Sequence, residues 1–178
     1  MAFGGLLRVG ELAALRVCDV VFPGDSRLPG SRCVVLILQH TKTGDDKSAE
    51  LSLSWMWKAL RNWVGERRIA GGANALLFPS AAVFRRALTT SLAALNLRQA
   101  GFVMHSFRAG RALQLVVSGV HMEEVLRLGR WRRPESARPY VQRLRALAAY
   151  VDIPSELLAR ADRLATAPSL TLRLWGCD

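Results

Sequence analysis

"HSFRAGRALQLVVSGVHMEEVLRLGRW", residues 105–131, decides how this chain is read. Apolar positions recur at helical spacing on either side of "SG" at 118–119, which predicts one helix over about 105–118 and a second over about 121–129. His105 and Arg108 stand three apart at the start of the first helix, where side chains at i and i+3 share a face. A helix N-terminus also attracts phosphate through its backbone N–H groups and its dipole.

Immediately downstream, "RLGRWRRPESARPY" at 127–140 packs Arg127, Arg130, Arg132, Arg133 and Arg138 around Trp131 and ends on Tyr140, one of two tyrosines in the chain. A basic run suits a solvated face or a phosphate-binding patch, and neither role calls for a terminal phenol. Upstream, "GELAALRVCDV" at 10–20 has helical spacing and leads into the turn-rich "FPGDSRLPGS" at 22–31. "RCVVLILQH", "TKTGDDK" and "SAELSLSW" then read as strand, turn and strand, a hairpin with Lys42 in or beside its turn. Further helices are predicted near 54–69, 80–99, 134–149 and 154–165. The expected fold is mainly α with a small antiparallel β-hairpin or sheet, in a single domain over 1–178.

The 178 residues are 51% apolar, enough to bury a core. The formal net charge of +11 implies a polyanionic partner, nucleic acid first. Residues 51–150 hold sixteen basic against four acidic side chains, so the excess lies in the middle of the chain. A GC-rich genome would also yield 22 Arg to 3 Lys, but not that clustering. Cys18, Cys33 and Cys177 lack metal-ligand spacing. They are expected to be reduced thiols in an intracellular protein, cytoplasmic or nuclear. The apolar run "CVVLIL" at 33–38 is far short of a membrane span. No P-loop, HExxH helix or GxSxG elbow occurs.

Taken singly, an HxxR tetrapeptide, a polar hairpin turn or an arginine at a helix start carries little weight. In order, however, Arg8, Lys42, His105, Arg108, Trp131 and Tyr140 nine residues later resemble the tyrosine recombinase or phage integrase family. The resemblance runs from "GLLRVGELAAL" through "KTG" and "HSFRAGRA" to "LGRW" and Tyr140, and implies a fold like that family's catalytic domain. It implies DNA cleavage and rejoining with no metal and no cofactor, through a 3′-phosphotyrosyl intermediate. Tyr140 would be the nucleophile, Arg8 and Arg108 the clamp on the non-bridging oxygens, and His105 the proton carrier for the phenol. Lys42, with Lys47 as fallback, would protonate the leaving 5′-oxygen. Trp131 would bond a phosphate oxygen and support the Tyr-bearing helix, and Glu11 would orient the site from behind. Arg130, Arg132, Arg133 and Arg138 are expected to position DNA phosphates.

The implied partners are double-stranded DNA and further copies of the chain, a tetramer on two duplexes. Family members carry helices upstream of the first arginine, and often a separate DNA-clamping domain. With seven residues before Arg8, the sequence is expected to lack both. Residues 150–178 are expected either to dock on a neighbouring protomer or to pack on their own domain. Two other functions stay open: a catalytically inactive DNA-binding module, and a type IB topoisomerase-like enzyme.

Overall fold

The computed structural model describes residues 1–39, 48–51, 56–78, 80–139, 142 and 155–159. Within them the chain is mainly helical with one small antiparallel sheet. Residues 1–7 form tight turns, with the Gly5 amide donating to the Met1 carbonyl at 2.9 Å and that of Leu7 to Ala2 at 3.0 Å. Helix α1, Val9–Ala14, follows directly. Its first turn is closed by the Glu11 carboxylate, which accepts from the Arg8 amide at 2.8 Å and so satisfies a donor that the helix start leaves open.

The helix expected to reach residue 20 stops at Ala14. Val17–Asp19 form a 3₁₀ turn and Val20–Val21 form strand β1. Three β-branched valines in five positions favour extended backbone over a continued helix. Their neighbourhood supplies the hydrogen bonds, because the Val17 amide donates to the Ala75 carbonyl at 3.0 Å and β1 pairs with β2. Strand β2, Val34–Ile37, lies between β1 and β3, Ser48–Leu51, with Val20 opposite Leu36 and Val34 opposite Leu51. The predicted hairpin is thus present and gains a third strand at its edge. Its turn, with Lys42 and Lys47, lies outside the described residues.

Helix α2, Trp57–Gly71, adds Leu60 and Val64 to the same apolar cluster as Val34 and Leu36 of β2. Trp63 donates its indole N–H to the Leu77 carbonyl at 2.9 Å, which ties the following loop to this layer. Helix α3, Ala81–Ala94, starts at Ser80, whose hydroxyl accepts from the Val83 amide. It ends five residues before its expected limit, where Asn96 turns left-handed at φ 55°, a conformation asparagine tolerates better than most residues.

Helices α4, Met104–Val117, and α5, Met122–Gly129, fall where residues 105–131 predict them. Gly119, at φ 83°, makes the turn between them. Residues 134–139, 142 and 155–159 are helical, and the rest of the two C-terminal helices predicted from sequence lies outside the described residues. Cys18 and Cys33 are free thiols. No helix among the described residues is long and apolar enough to cross a membrane.

Two apolar clusters fill the interior. The larger joins the sheet, α1 and α2 through Leu12, Leu15, Val34, Leu36, Leu51 and Leu60. The smaller gathers Leu6, Ala112, Leu115 and Val125 between α4 and α5, with Trp131 packed against it.

Candidate functional site

Beside the smaller cluster, charge is buried. Glu11 is 5% exposed, Arg108 1% and Arg130 6%. Charged groups at that depth persist when their charges and hydrogen-bonding atoms are matched. Glu11 Oε1 accepts from Arg8 Nη1 at 2.8 Å, and Oε2 accepts from the Arg8 amide and from Arg130 Nη2, each at 2.8 Å. Arg108 Nη1 stands 4.0 Å from Oε2. One carboxylate therefore sits among three guanidiniums contributed by the start of α1, by α4 and by the end of α5.

The arginines also grip main chain. Arg108 Nη1 donates to the Leu6 carbonyl at 2.5 Å and Nη2 to that of Gly129. Arg130 reaches the Gly5 and Leu6 carbonyls at 3.3 Å each. Leu6 itself is left-handed, at φ 49°, a conformation that costs a non-glycine residue about 1–2 kcal/mol. The carbonyl bonds from Arg108 and Arg130 offset that cost. The Arg108 guanidinium lies over the Trp131 ring, 4.5 Å from its centroid, a cation–π arrangement. Gly129 makes the fit possible, since a Cβ there would fall inside the Trp131 ring.

Toward solvent, Leu7, Arg8, Val9, Gly10, Glu11, Met104 and His105 line a cleft of about 410 Å³. His105 is the second residue of α4, so it enters the cleft at the positive end of a fourteen-residue helix. Burial first, then the charges of Arg108 and Arg8, hold its imidazole below the ordinary value of 6.5. At neutral pH it is an uncharged ring able to accept a proton. Burial pushes the Glu11 carboxyl up, but the Arg8 amide, Arg130 and the Arg8 guanidinium together outweigh it and leave the group below its ordinary 4.5. Glu11 is an anion at any pH near neutrality.

Of the residues singled out in the sequence, Arg8, Glu11, His105, Arg108 and Trp131 come together here, across more than a hundred residues of chain. Arg132, Arg133 and Arg138, expected to position DNA phosphates, are exposed. Arg130 departs from the same expectation: the structure turns it inward onto Glu11 and the backbone of residues 5–6. The cause is local, because the chain leaves α5 in a left-handed turn at Arg130, φ 55° and ψ 43°. Arg108 also differs from its expected place in an open clamp, since the terminal nitrogens just described both donate to carbonyls. Lys42 and Tyr140 lie outside the described residues.

Neither Arg130 as a partner of Glu11 nor the Leu6 carbonyl as a receptor for two arginines is anticipated by the sequence reading. One signal was present: an arginine directly after a helix-ending glycine, where glycine or asparagine is the usual left-handed residue. Compared with known proteins, the chain matches no family model and no curated protein.

Proposed function

We propose that this chain binds double-stranded DNA and breaks and rejoins its strands as a tyrosine recombinase does. The observation that supports the reading is the convergence of Arg8, His105, Glu11, Arg108 and Trp131, chosen from sequence order: Arg8, Glu11 and His105 line one cleft, and Arg108 and Trp131 pack behind it. The Tyr140 oxygen attacks the scissile phosphorus, the P–O bond to the 5′-oxygen breaks, and a 3′-phosphotyrosyl ester remains. Neutral His105 takes the phenol proton, and the Lys42 ammonium gives one to the leaving 5′-oxygen. Arg8, which lines the cleft, meets the non-bridging oxygens, with Arg108 and Trp131 behind it. Arg132, Arg133 and Arg138 hold neighbouring phosphates, and four copies act on two duplexes.

A pool of nicked duplexes of random sequence tests this whatever the target site. Wild-type protein is expected to give a DNA adduct that survives denaturing electrophoresis, and Tyr140→Phe none. One observation favours a second reading, an inactive DNA-binding module: Arg108 is 1% exposed, with each terminal nitrogen donating to a main-chain carbonyl. DNA binding that weakens with salt, without any adduct, would select that reading over the enzyme.

A further inference from the structure

Resting on that reading, we propose that Arg130 is a positioning residue: acting through Glu11, it fixes the Arg8 guanidinium at the cleft instead of touching DNA. Three observations carry this. First, Arg130 occupies a left-handed position after α5 that disfavours any residue with a Cβ by about 1–2 kcal/mol. Backbone preference therefore does not account for an arginine there. Second, that side chain is buried and spans from the end of α5 to the segment before α1, bonding the Gly5 and Leu6 carbonyls and Glu11.

Third, the Glu11 carboxylate divides its oxygens. Oε2 is held by Arg130 and the Arg8 amide, and Oε1 faces the Arg8 guanidinium. With Oε2 pinned from inside, the carboxylate cannot swing, and Oε1 sets where the Arg8 fork points. Arg130 and Arg108 also share the carbonyl of Leu6, two residues before Arg8, so the backbone that enters the site is fixed as well. The α5 end, which leads to Trp131 and on to Tyr140, is thereby locked to the arginine that meets the phosphate.

The test uses the whole chain and the random-sequence nicked duplex pool. Arg130→Met is expected to slow adduct formation at saturating DNA by about tenfold or more, because small misplacements of a clamping group cost that much. The DNA concentration giving half the maximal rate should stay within about twofold of wild type. Arg132→Ala should show the reverse split. Arg130→Lys, which keeps a charge for Glu11 but lacks the fork, should recover part of the rate. The proposal is overturned if Arg130→Met behaves as Arg132→Ala does, losing affinity at an unchanged maximal rate.

A second arm needs no activity. The groups facing Glu11 are Arg8, Arg108 and Arg130, with His105 lining the same cleft. In ¹³C and ¹⁵N NMR without DNA, the Glu11 carboxyl carbon is expected to titrate at higher pH in Arg130→Met than in wild type, and the Arg8 Nε resonance to shift. An unchanged titration and an unmoved Arg8 resonance overturn the proposal. If wild-type protein forms no adduct, the functional reading fails, while this arm still decides whether Arg130 holds Arg8. If Arg130→Met does not fold, Arg130→Lys is measured in both arms, with smaller changes of the same sign expected.

Discussion

The two buried regions of this molecule hold together by different physics. Around the sheet, Leu12, Leu15, Val34, Leu36, Leu51 and Leu60 make an apolar core whose stability comes from area removed from water. Between α4 and α5, four buried apolar residues make a much smaller cluster, and Glu11, Arg108 and Arg130 bind its edge to the N-terminal segment. The first region tolerates any well-packed hydrophobic set of the right volume. The second depends on matched charges and specific carbonyl acceptors, so it fixes geometry at a higher cost per residue. The candidate site lies on the second. The phosphate-clamping role proposed for that site would be better served by directional contacts than by a surface that can repack.

Breaking the charged region should have the largest effect. Glu11→Gln leaves two buried guanidiniums without their anion and is expected to destabilise the fold by about 3–5 kcal/mol, read from the urea midpoint. In the apolar core, Leu36→Ala should cost about 3 kcal/mol. That loss should not change with pH or salt, and a strong dependence on either would blur the contrast. Gly129→Ala, which drives a methyl into the Trp131 ring, should cost about 1–3 kcal/mol and shift tryptophan fluorescence.

Acid sharpens the same contrast. The folded-state Glu11 carboxyl lies below its ordinary 4.5, so as pH falls the unfolded chain takes up this proton first. The stability Glu11 contributes is complete above about pH 4.5 and is lost as pH drops through the folded value. The gap between wild type and Glu11→Gln should therefore narrow below about pH 4.5, while that between wild type and Leu36→Ala stays level. The smallest effect belongs to the exposed arginines. Arg132→Ala should leave stability unchanged and reduce the slope of log affinity for DNA against log salt by about 0.9.

How far the sequence carried these conclusions follows from which forces are local. Helices α4 and α5 were legible because their apolar spacing and the Ser118-Gly119 break are properties of neighbouring residues. The hairpin was legible for the same reason, through the β-branched run at 33–38 and the alternation after residue 48. The early end of α1 was not: Val17, Val20 and Val21 carry the apolar spacing of a helix, and pairing with Ala75 and with β2 decided against it.

In the site, Arg8, His105, Arg108 and Trp131 could be selected because their order and spacing resemble a known constellation. Arg130 could not be separated from Arg132 and Arg133 by any local signal strong enough to turn it inward. Its burial depends on a left-handed turn and on Glu11, 119 residues away. Burial of charge is set by tertiary partners, and a run of arginines does not show which of its members will find one.

The central claim, that the charged region serves a phenol acting on phosphate, is tested most directly by identifying the linked residue. Wild-type protein is incubated with the nicked duplex pool, the DNA is digested to its last nucleotide, and the protein is cut with trypsin for mass spectrometry. Because Arg133 and Arg138 each precede a proline, the phenol lies in the peptide from Arg133 to Arg143. The account predicts a 3′-phosphonucleotide mass on Tyr140 in that peptide. A nucleotide on any other residue, or DNA held without a covalent bond, would contradict it.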